Sequence, residues 1–485
     1  MGFEGETIIL NLRHTYAPKN ERTSGGVCLP PGPAMIAARL KGGGADVELQ
    51  DANLRPLSIP EKLRLIAVGV LGPVYVDPAM KLYKKLRKEL GPDVAIAFGG
   101  PGVSGFTDQQ FQQLFPGALY GNNDVILAKA AGADVRAMPS RFEVSLIEIL
   151  KQKSDEDFVK YMNANPVPYP LSDGCKFKCE FCIAKHTIVD PITAEEHKVH
   201  EQYRSPTVVE TDFRYIVERA KQRGVPELNI YLSNLDLFQT PKKLMEFAEI
   251  VFKIKKDNPE VSVKMRGLST AASFMQTHRH MPQCIERIVE AGLDAVGFGV
   301  DGGDAKTWKK VGKKQNTIQN CMDAIRTTRN IYGIRPQILE VIGVPQETQE
   351  SLDATVQFGS KMVAETDAEM RPYLLKWGLP GTPTWGMLEN QPYVQSMLAH
   401  PKRWADTDFS AWRSERDPEQ RELVNETYAQ LLNLPNNTTV PVWVPSRKLT
   451  KAEIQELTKR FPGRTPTDHL TAEECGELNV GNYDT

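Results

Sequence analysis

Cys175, Cys179 and Cys182 stand in the segment LSDGCKFKCEFCIAKH at the spacing C-x3-C-x2-C. Three thiolates on one tight loop can hold three irons of a four-iron, four-sulfur cubane and leave the fourth iron open to a ligand that is not protein. A cluster with an open iron is a site for chemistry more than for passing electrons, so the chain is a candidate redox enzyme. Zinc is the competing ligand. It usually takes two cysteine pairs, or two Cys and two His. Here its fourth ligand would be His186 or a distant residue. A disulfide framework is disfavoured because seven cysteines in 485 residues are sparse, and Cys28, Cys284, Cys321 and Cys475 are scattered.

The elements that must position this loop follow from the apolar pattern. Residues 1 to about 150 alternate strand-length apolar runs (Glu6 to Leu12, Ala45 to Ala52, Leu63 to Gly72, Asp93 to Gly100) with helices starting after Pro33 and Pro78, the second closed by Gly91. Alternation of this kind predicts an α/β fold with a doubly wound, Rossmann-like parallel sheet, whose ligand crevice lies beyond the carboxyl ends of its strands. From Pro166 to about Trp385 strand and helix repeat about six times: PVPYPLS, ELNIYLSNLDLF, VSVKMRGLS, AVGFGVDGGD, PQILEVIGVP and MRPYLLKW read as strands. Phe213, Ile216, Val217 and Ala220 share one face of the helix that Gly224 caps. The series predicts a partial (βα)6 barrel over residues 151–390, with chemistry at the carboxyl ends of its strands. Residues 391–485 read as a small, mainly helical extension carrying Trp404 and Trp412.

C-x3-C-x-aromatic-C after a strand resembles the signature of the radical S-adenosylmethionine (SAM) superfamily. The resemblance implies that the open iron chelates the amino and carboxylate groups of SAM, and that one electron then cleaves the sulfonium to a 5′-deoxyadenosyl radical. Phe181 fits a planar side chain packed over the adenine. Ser233, Asn234 and Asp236 stand where the family receives the methionine amino group, and Arg266 could pair the SAM carboxylate as a bidentate fork. Asp301 with Gly302 and Gly303 resembles the family's turn near the ribose. The stretch IGVPQET, with Gln346 in place of a glycine, resembles the segment whose backbone (Ile342, Gly343, Val344) contacts adenine.

The N-terminal third resembles the cobalamin-binding domains fused to some members. The segment LPPGPAMIAARLKGGGADVELQDANL resembles the opening of those domains, and AIAFGGPGVSG their G-G-P-x turn. That resemblance implies corrin contacts from Leu71, Gly72 and Tyr75, from Gly99, Gly100 and Pro101, and from Gly121 and Asn122. The sequence departs from the pattern twice. None of the eight histidines, His14 included, stands in D-x-H-x-x-G, and Asn122, Asn123 and Asp124 replace an acidic pair. The alternative for this region is an ordinary Rossmann-like domain that binds a nucleotide or nothing. Arg371, Tyr373 and Lys376, with GLPGTPTW, resemble the sixth-strand region where a substrate or the corrin meets the barrel. Tyr231, Cys284 and Cys321 fit the core, the two thiols lying on apolar helical stripes.

Net charge of −2 and a pI near 6.5 give no electrostatic footprint for nucleic acid or a membrane surface. No apolar run is long enough to span a bilayer, the acidic start does not read as a secretory leader, and sparse cysteine favours a reducing cytoplasm. The expected enzyme uses a 4Fe-4S cluster, SAM and cobalamin, methylates an unactivated carbon of a small molecule, and takes electrons from a flavodoxin- or ferredoxin-type donor. The alternative is a radical rearrangement, ring contraction, dehydrogenation or epimerisation without methyl transfer, with or without cobalamin.

Overall fold

The structure, a computed structural model, describes residues 5–12, 29–70, 76–104, 106–121, 123–163, 166–182, 187–189, 196–198, 201–344 and 347–374, and a few positions beyond. The N-terminal elements are β1 (Glu6–Asn11), α1 (Pro31–Gly42), β2 (Val47–Asp51), β3 (Leu63–Gly69), α2 (Val76–Leu90), β4 (Ala95–Gly99), α3 (Asp108–Leu114), β5 (Leu119–Tyr120) and α4 (Asp124–Ala131). The strands form one parallel sheet in the order β2-β1-β3-β4-β5. This is a doubly wound Rossmann-like order, and its direction reverses between β1 and β3, where such sheets open a crevice. β1 to β4 sit where their apolar runs predict, and the two-residue β5 is an addition to them. α1 begins three residues earlier than expected because Pro31 occupies its first turn, where a missing N–H costs nothing.

Two short helices, α5 (Ile147–Lys151) and α6 (Asp155–Met162), lead out of this layer. Gln152 donates to Val47 O at 3.0 Å, and Lys153 donates to Leu49 O. Buried Asp51, at the end of β2, accepts from Asn11, Asn53 and, at 3.0 Å, the Tyr161 hydroxyl of α6.

The second layer starts with β6 (Val167–Tyr169), then β7 (Ser172–Asp173), β8 (Thr187–Val189), β9 (Glu196–Lys198) and β10 (Gln202–Tyr203). β7 pairs with β10 and β8 with β9, both antiparallel, so the β7–β10 pair brackets the cysteine loop and the β8–β9 pair that follows it. Next come α7 (Pro206–Gln222), β11 (Glu227–Leu232), α8 (Pro241–Asp257), β12 (Ser262–Ser269), α9 (Ala271–His280), α10 (Pro282–Ala291), β13 (Leu293–Gly299), α11 (Ala305–Lys310), α12 (Ile318–Asn330), β14 (Arg335–Ile342), α13 (Gln349–Thr366) and β15 (Glu369–Leu374). β6 and the five longer strands form a parallel sheet in chain order, β6-β11-β12-β13-β14-β15, which is the partial (βα)6 barrel. Phe213, Ile216, Val217 and Ala220 of α7 are buried on the face expected of them.

Side chains alternate across each strand. Met370 lies against Gly359 of α13, so its neighbours Glu369 and Arg371 point to the concave side. Gln337 bonds Glu369 at 2.7 Å and joins them there, beside Leu268 and Leu339. Cys284 and Cys321 are fully buried, and burial pushes both thiols up to about 12, so they are core residues. In the C-terminal region, positions 423–424, 427 and 430–431 are helical and Leu431 packs on Gly359. Trp404 and Trp412 lie outside the described residues. Among the described residues no helix is long and apolar enough to cross a membrane.

Candidate active site

The cysteine loop leaves β7 at the carboxyl end of the barrel. Gly174 turns it and donates to its neighbour Asp173, and Lys176 N donates to Gln239 Oε1 of the segment after β11 at 2.7 Å. Cys182 N closes a turn onto Cys179 O at 3.1 Å. All three cysteines are half-buried and stand outside any disulfide. Burial raises the Cys175 thiol to about 12 and raises Cys179 as well. Such thiols become thiolates only against a strong local positive charge, which bound metal supplies. Among the described residues no three His, Cys, Asp or Glu side chains converge closely enough to hold one ion. His186, the other ligand the sequence offered, lies outside the described residues.

The other expected SAM contacts sort into rim and frame. Ser233 N donates to Tyr169 O at 2.7 Å, which places Ser233 on the rim just beyond β6 and β11. Asn234 follows it and is buried. Asp236 is fully buried. Its carboxylate accepts from Ser269 Oγ (2.7 Å), Thr270 N (3.2 Å), Thr270 Oγ1 (3.1 Å) and Ser273 Oγ (2.7 Å). Burial still raises its pKa above the usual carboxylate value, offset in part by those donors. Every oxygen of Asp236 is thus engaged in joining the β11 loop to the start of α9. Arg266 lies three residues inside the end of β12, with its guanidinium 5.1 Å from the centre of the Tyr231 ring. Tyr231 is half-buried on the same face, where the sequence suggested plain core.

Asp301 adopts φ 53°, one of two non-glycine residues in the left-handed region among the described residues. It is nearly buried, as is Lys313, whose Nζ pairs with it and also donates to Gly299 O. Gly302 N donates to buried Glu340, and Gly343 N to Glu347 at 2.6 Å. Ile342 is buried. Phe181 is half-buried in the cysteine loop. The strand ends therefore bring together Phe181, Ser233, Asp301, Gly302, Ile342 and Gly343 around the triad's end of the barrel.

Sequence reasoning missed Lys313, Gln315, Glu340 and Glu201. Glu201 accepts from Ser172 Oγ (2.9 Å) and Thr240 Oγ1 (2.6 Å), and burial raises its carboxyl. Lys313 and Gln315 follow α11, Glu201 precedes β10 and Glu340 lies within β14, and only packing separates such polar residues from surface ones.

At the N-terminal crevice, Gly100 has φ 98°, and a Cβ there would lie 2.8 Å from Val70 O. Gly121 N donates to Phe98 O at 2.7 Å and lies flat on β4. The rim of Gly99, Gly100, exposed Pro101 and Gly121 carries little side chain, as a flat macrocycle requires. Asn123 caps α4 and Asp124 pairs with Arg39, so both serve the fold. Leu71, Gly72, Tyr75, Asn122, Cys28 and Lys376, and the Tyr373 side chain, lie outside the described residues. Arg371 donates to Glu369 from Nε at 2.9 Å, on the concave face.

The family model for the radical SAM superfamily matches residues 169–359. This segment is a radical SAM domain. It begins at Tyr169 of β6 and ends within α13, so it spans the triad and the strand ends just described. A protein named uncharacterized methyltransferase PH0819, from Pyrococcus horikoshii, is 21% identical over 394 residues, which cover 73% of this chain and 77% of the relative. Among solved structures, the cobalamin-dependent SAM radical enzyme OxsB with aqua-cobalamin and SAM bound superposes with a TM-score of 0.55 at 17% identity, over 83% of this chain and 56% of OxsB. OxsB with aqua-cobalamin alone gives 0.55 at 18% identity, with the same coverage. The chain spans little more than half the length of OxsB, and the likeness is one of fold.

Proposed function

We propose that this radical SAM enzyme also works with a cobalamin and methylates an unactivated carbon of a small molecule. The observation that carries the reading is the pairing, in one chain, of a switch-point sheet and a barrel bearing three cysteines outside any disulfide at its open end. OxsB, with a related fold, holds both aqua-cobalamin and SAM, and the Pyrococcus relative bears a methyltransferase name.

When bound, the cluster supplies the electron that cleaves SAM to a 5′-deoxyadenosyl radical, and the corrin carries the methyl group. Cys175, Cys179 and Cys182 would hold three irons. Ser233, Gly302 and Gly343 would line the SAM cradle with backbone and hydroxyl groups, and Phe181 would cover the adenine. Glu340 and Glu347 each fix the amide of a cradle glycine, so the backbone there is positioned before SAM arrives. Arg371, steadied by Glu369, would orient the substrate from the concave face, and Tyr373 and Lys376 are further candidate substrate contacts by their sequence positions. Closing that face over the substrate would keep the radical from solvent. The electron would come from an external flavodoxin- or ferredoxin-type protein.

The test is anaerobic purification with hydroxocobalamin, cluster reconstitution and ultraviolet–visible spectroscopy. A retained corrin spectrum supports the reading, and no corrin after reconstitution sinks methyl transfer while leaving the radical SAM assignment intact. Turnover with SAM carrying a deuterated methyl group would then separate methylation from a rearrangement, which transfers no label.

A further inference from the structure

The loop between α11 and α12 serves neither the barrel's apolar core nor the SAM cradle proposed above, yet it is built with unusual care. Toward the end of β13 the loop and α11 before it are fastened five times, one of them the Lys313 bond to Gly299 O. Trp308 Nε1 donates to Val300 O at 2.6 Å, Asn316 Nδ2 donates to Val300 O at 3.1 Å and to Gly299 O at 3.3 Å, and Lys313 pairs with Asp301. Toward the cysteine loop, Glu180 N donates to Val311 O at 3.0 Å. Gly312 packs so closely on that loop that a Cβ there would lie 2.9 Å from Lys178 O. Between these anchors, Gln315 directs its Nε2 at Cys179 Sγ from 3.9 Å.

We propose that this loop tunes the redox poise of the bound cluster, with Gln315 donating an N–H···S hydrogen bond to the Cys179 ligand and Lys313 holding the loop in register. The inference rests on the radical SAM reading of the triad. The step concerned is the uptake of one electron from an external one-electron donor, which takes the cluster from [4Fe–4S]2+ to [4Fe–4S]1+ with no bond made or broken. The reduced cluster carries one more negative charge, and that charge is spread onto the thiolate sulfurs. A donor aimed at one sulfur stabilises the reduced form more than the oxidised form and raises the potential. Lys313 is largely neutralised by Asp301, so its part is to hold Gln315 in position. Gln315 is a tuning residue and does not touch SAM or substrate.

The experiment is a mediated redox titration of the anaerobically reconstituted holoprotein, followed by the electron paramagnetic resonance signal of the reduced cluster. Gln315→Met keeps the length and loses the donor; at a fixed poise its ratio of reduced to oxidised cluster should fall about tenfold, which is about 59 mV for one electron. Gln315→Lys keeps a donor and adds a charge, so its midpoint should rise. Opposite shifts cannot come from a shared packing defect. The proposal is overturned if both midpoints stay at the wild-type value, if both move the same way, or if either variant binds less iron than wild type. A wild-type protein that forms no such cluster overturns the radical SAM reading itself, a result separate from the others.

Discussion

Asp236 separates two roles that a sequence cannot distinguish, ligand and brace. Its carboxylate accepts from three hydroxyls and one amide, all from Ser269, Thr270 and Ser273. Asp236→Ala leaves those donors without an acceptor. Buried donors without partners cost about 1–3 kcal/mol each, and Ser269 Oγ can turn to Thr270 O at 3.0 Å, so the net loss comes to about 3–5 kcal/mol. At about 2–4 °C per kcal/mol for a unit of this size, the barrel should melt about 6–20 °C lower. Asp236→Asn keeps Oδ1 for Ser269 and Thr270 N, and the two hydroxyls facing the new amide can rotate to accept, so its cost should stay near 1–2 kcal/mol. Circular-dichroism melts with and without SAM, together with equilibrium dialysis of labelled SAM, give stability and affinity on the same samples. A brace predicts graded melting in the order wild type, Asn, Ala, with SAM affinity of the Asn variant within a few-fold of wild type. If Asp236→Asn melts like wild type and no longer binds SAM, the carboxylate faces the ligand and the reasoning from its four bonds is wrong.

Asp212 and Arg204 form a buried ion pair at 2.9 Å, shared with Ser145, Leu146 N and Tyr169. Asp212→Asn should cost about 3–5 kcal/mol by stranding the guanidinium, while the double change Asp212→Leu with Arg204→Met should recover most of it, as read by urea melts. Glu340 is fully buried, and burial holds its carboxyl well above its usual value. The native state therefore binds more protons than the unfolded chain above about pH 4.5, so stability falls as pH rises from there toward the folded value. Glu340→Gln should flatten that part of the pH–stability curve in thermal melts between pH 5 and 9, and an unchanged slope would show that Glu340 is already ionised.

The triad was legible because its chemistry is local: three soft ligands within eight residues need no tertiary contact to be noticed. Most strands of both layers were legible because buried parallel strands are short apolar runs; β13, β14 and β15 start one or two residues before the runs read from the pattern, and two-residue β5 was not read at all. The pairs β7–β10 and β8–β9 were not legible, since strands of two or three residues carry no period. Lys313 was missed because a Lys-Lys pair reads as surface, and only the fold buries the first and exposes the second. Asp236 and Asp301 were both marked by position at strand ends. Position alone does not say that one is enclosed by hydroxyls and the other held by a lysine.

The helices after the Rossmann-like sheet bear on how the molecule can be divided. β2 is an edge strand, and an unpaired edge invites association with any other exposed strand. Its outward carbonyls at Val47 and Leu49 are occupied by Gln152 and Lys153, and the carboxylate at its end by Tyr161. The guard of this edge is therefore encoded downstream of the sheet it protects. A fragment cut at residue 150 would leave the edge bare and should self-associate, whereas one cut after residue 163 would carry its own cover.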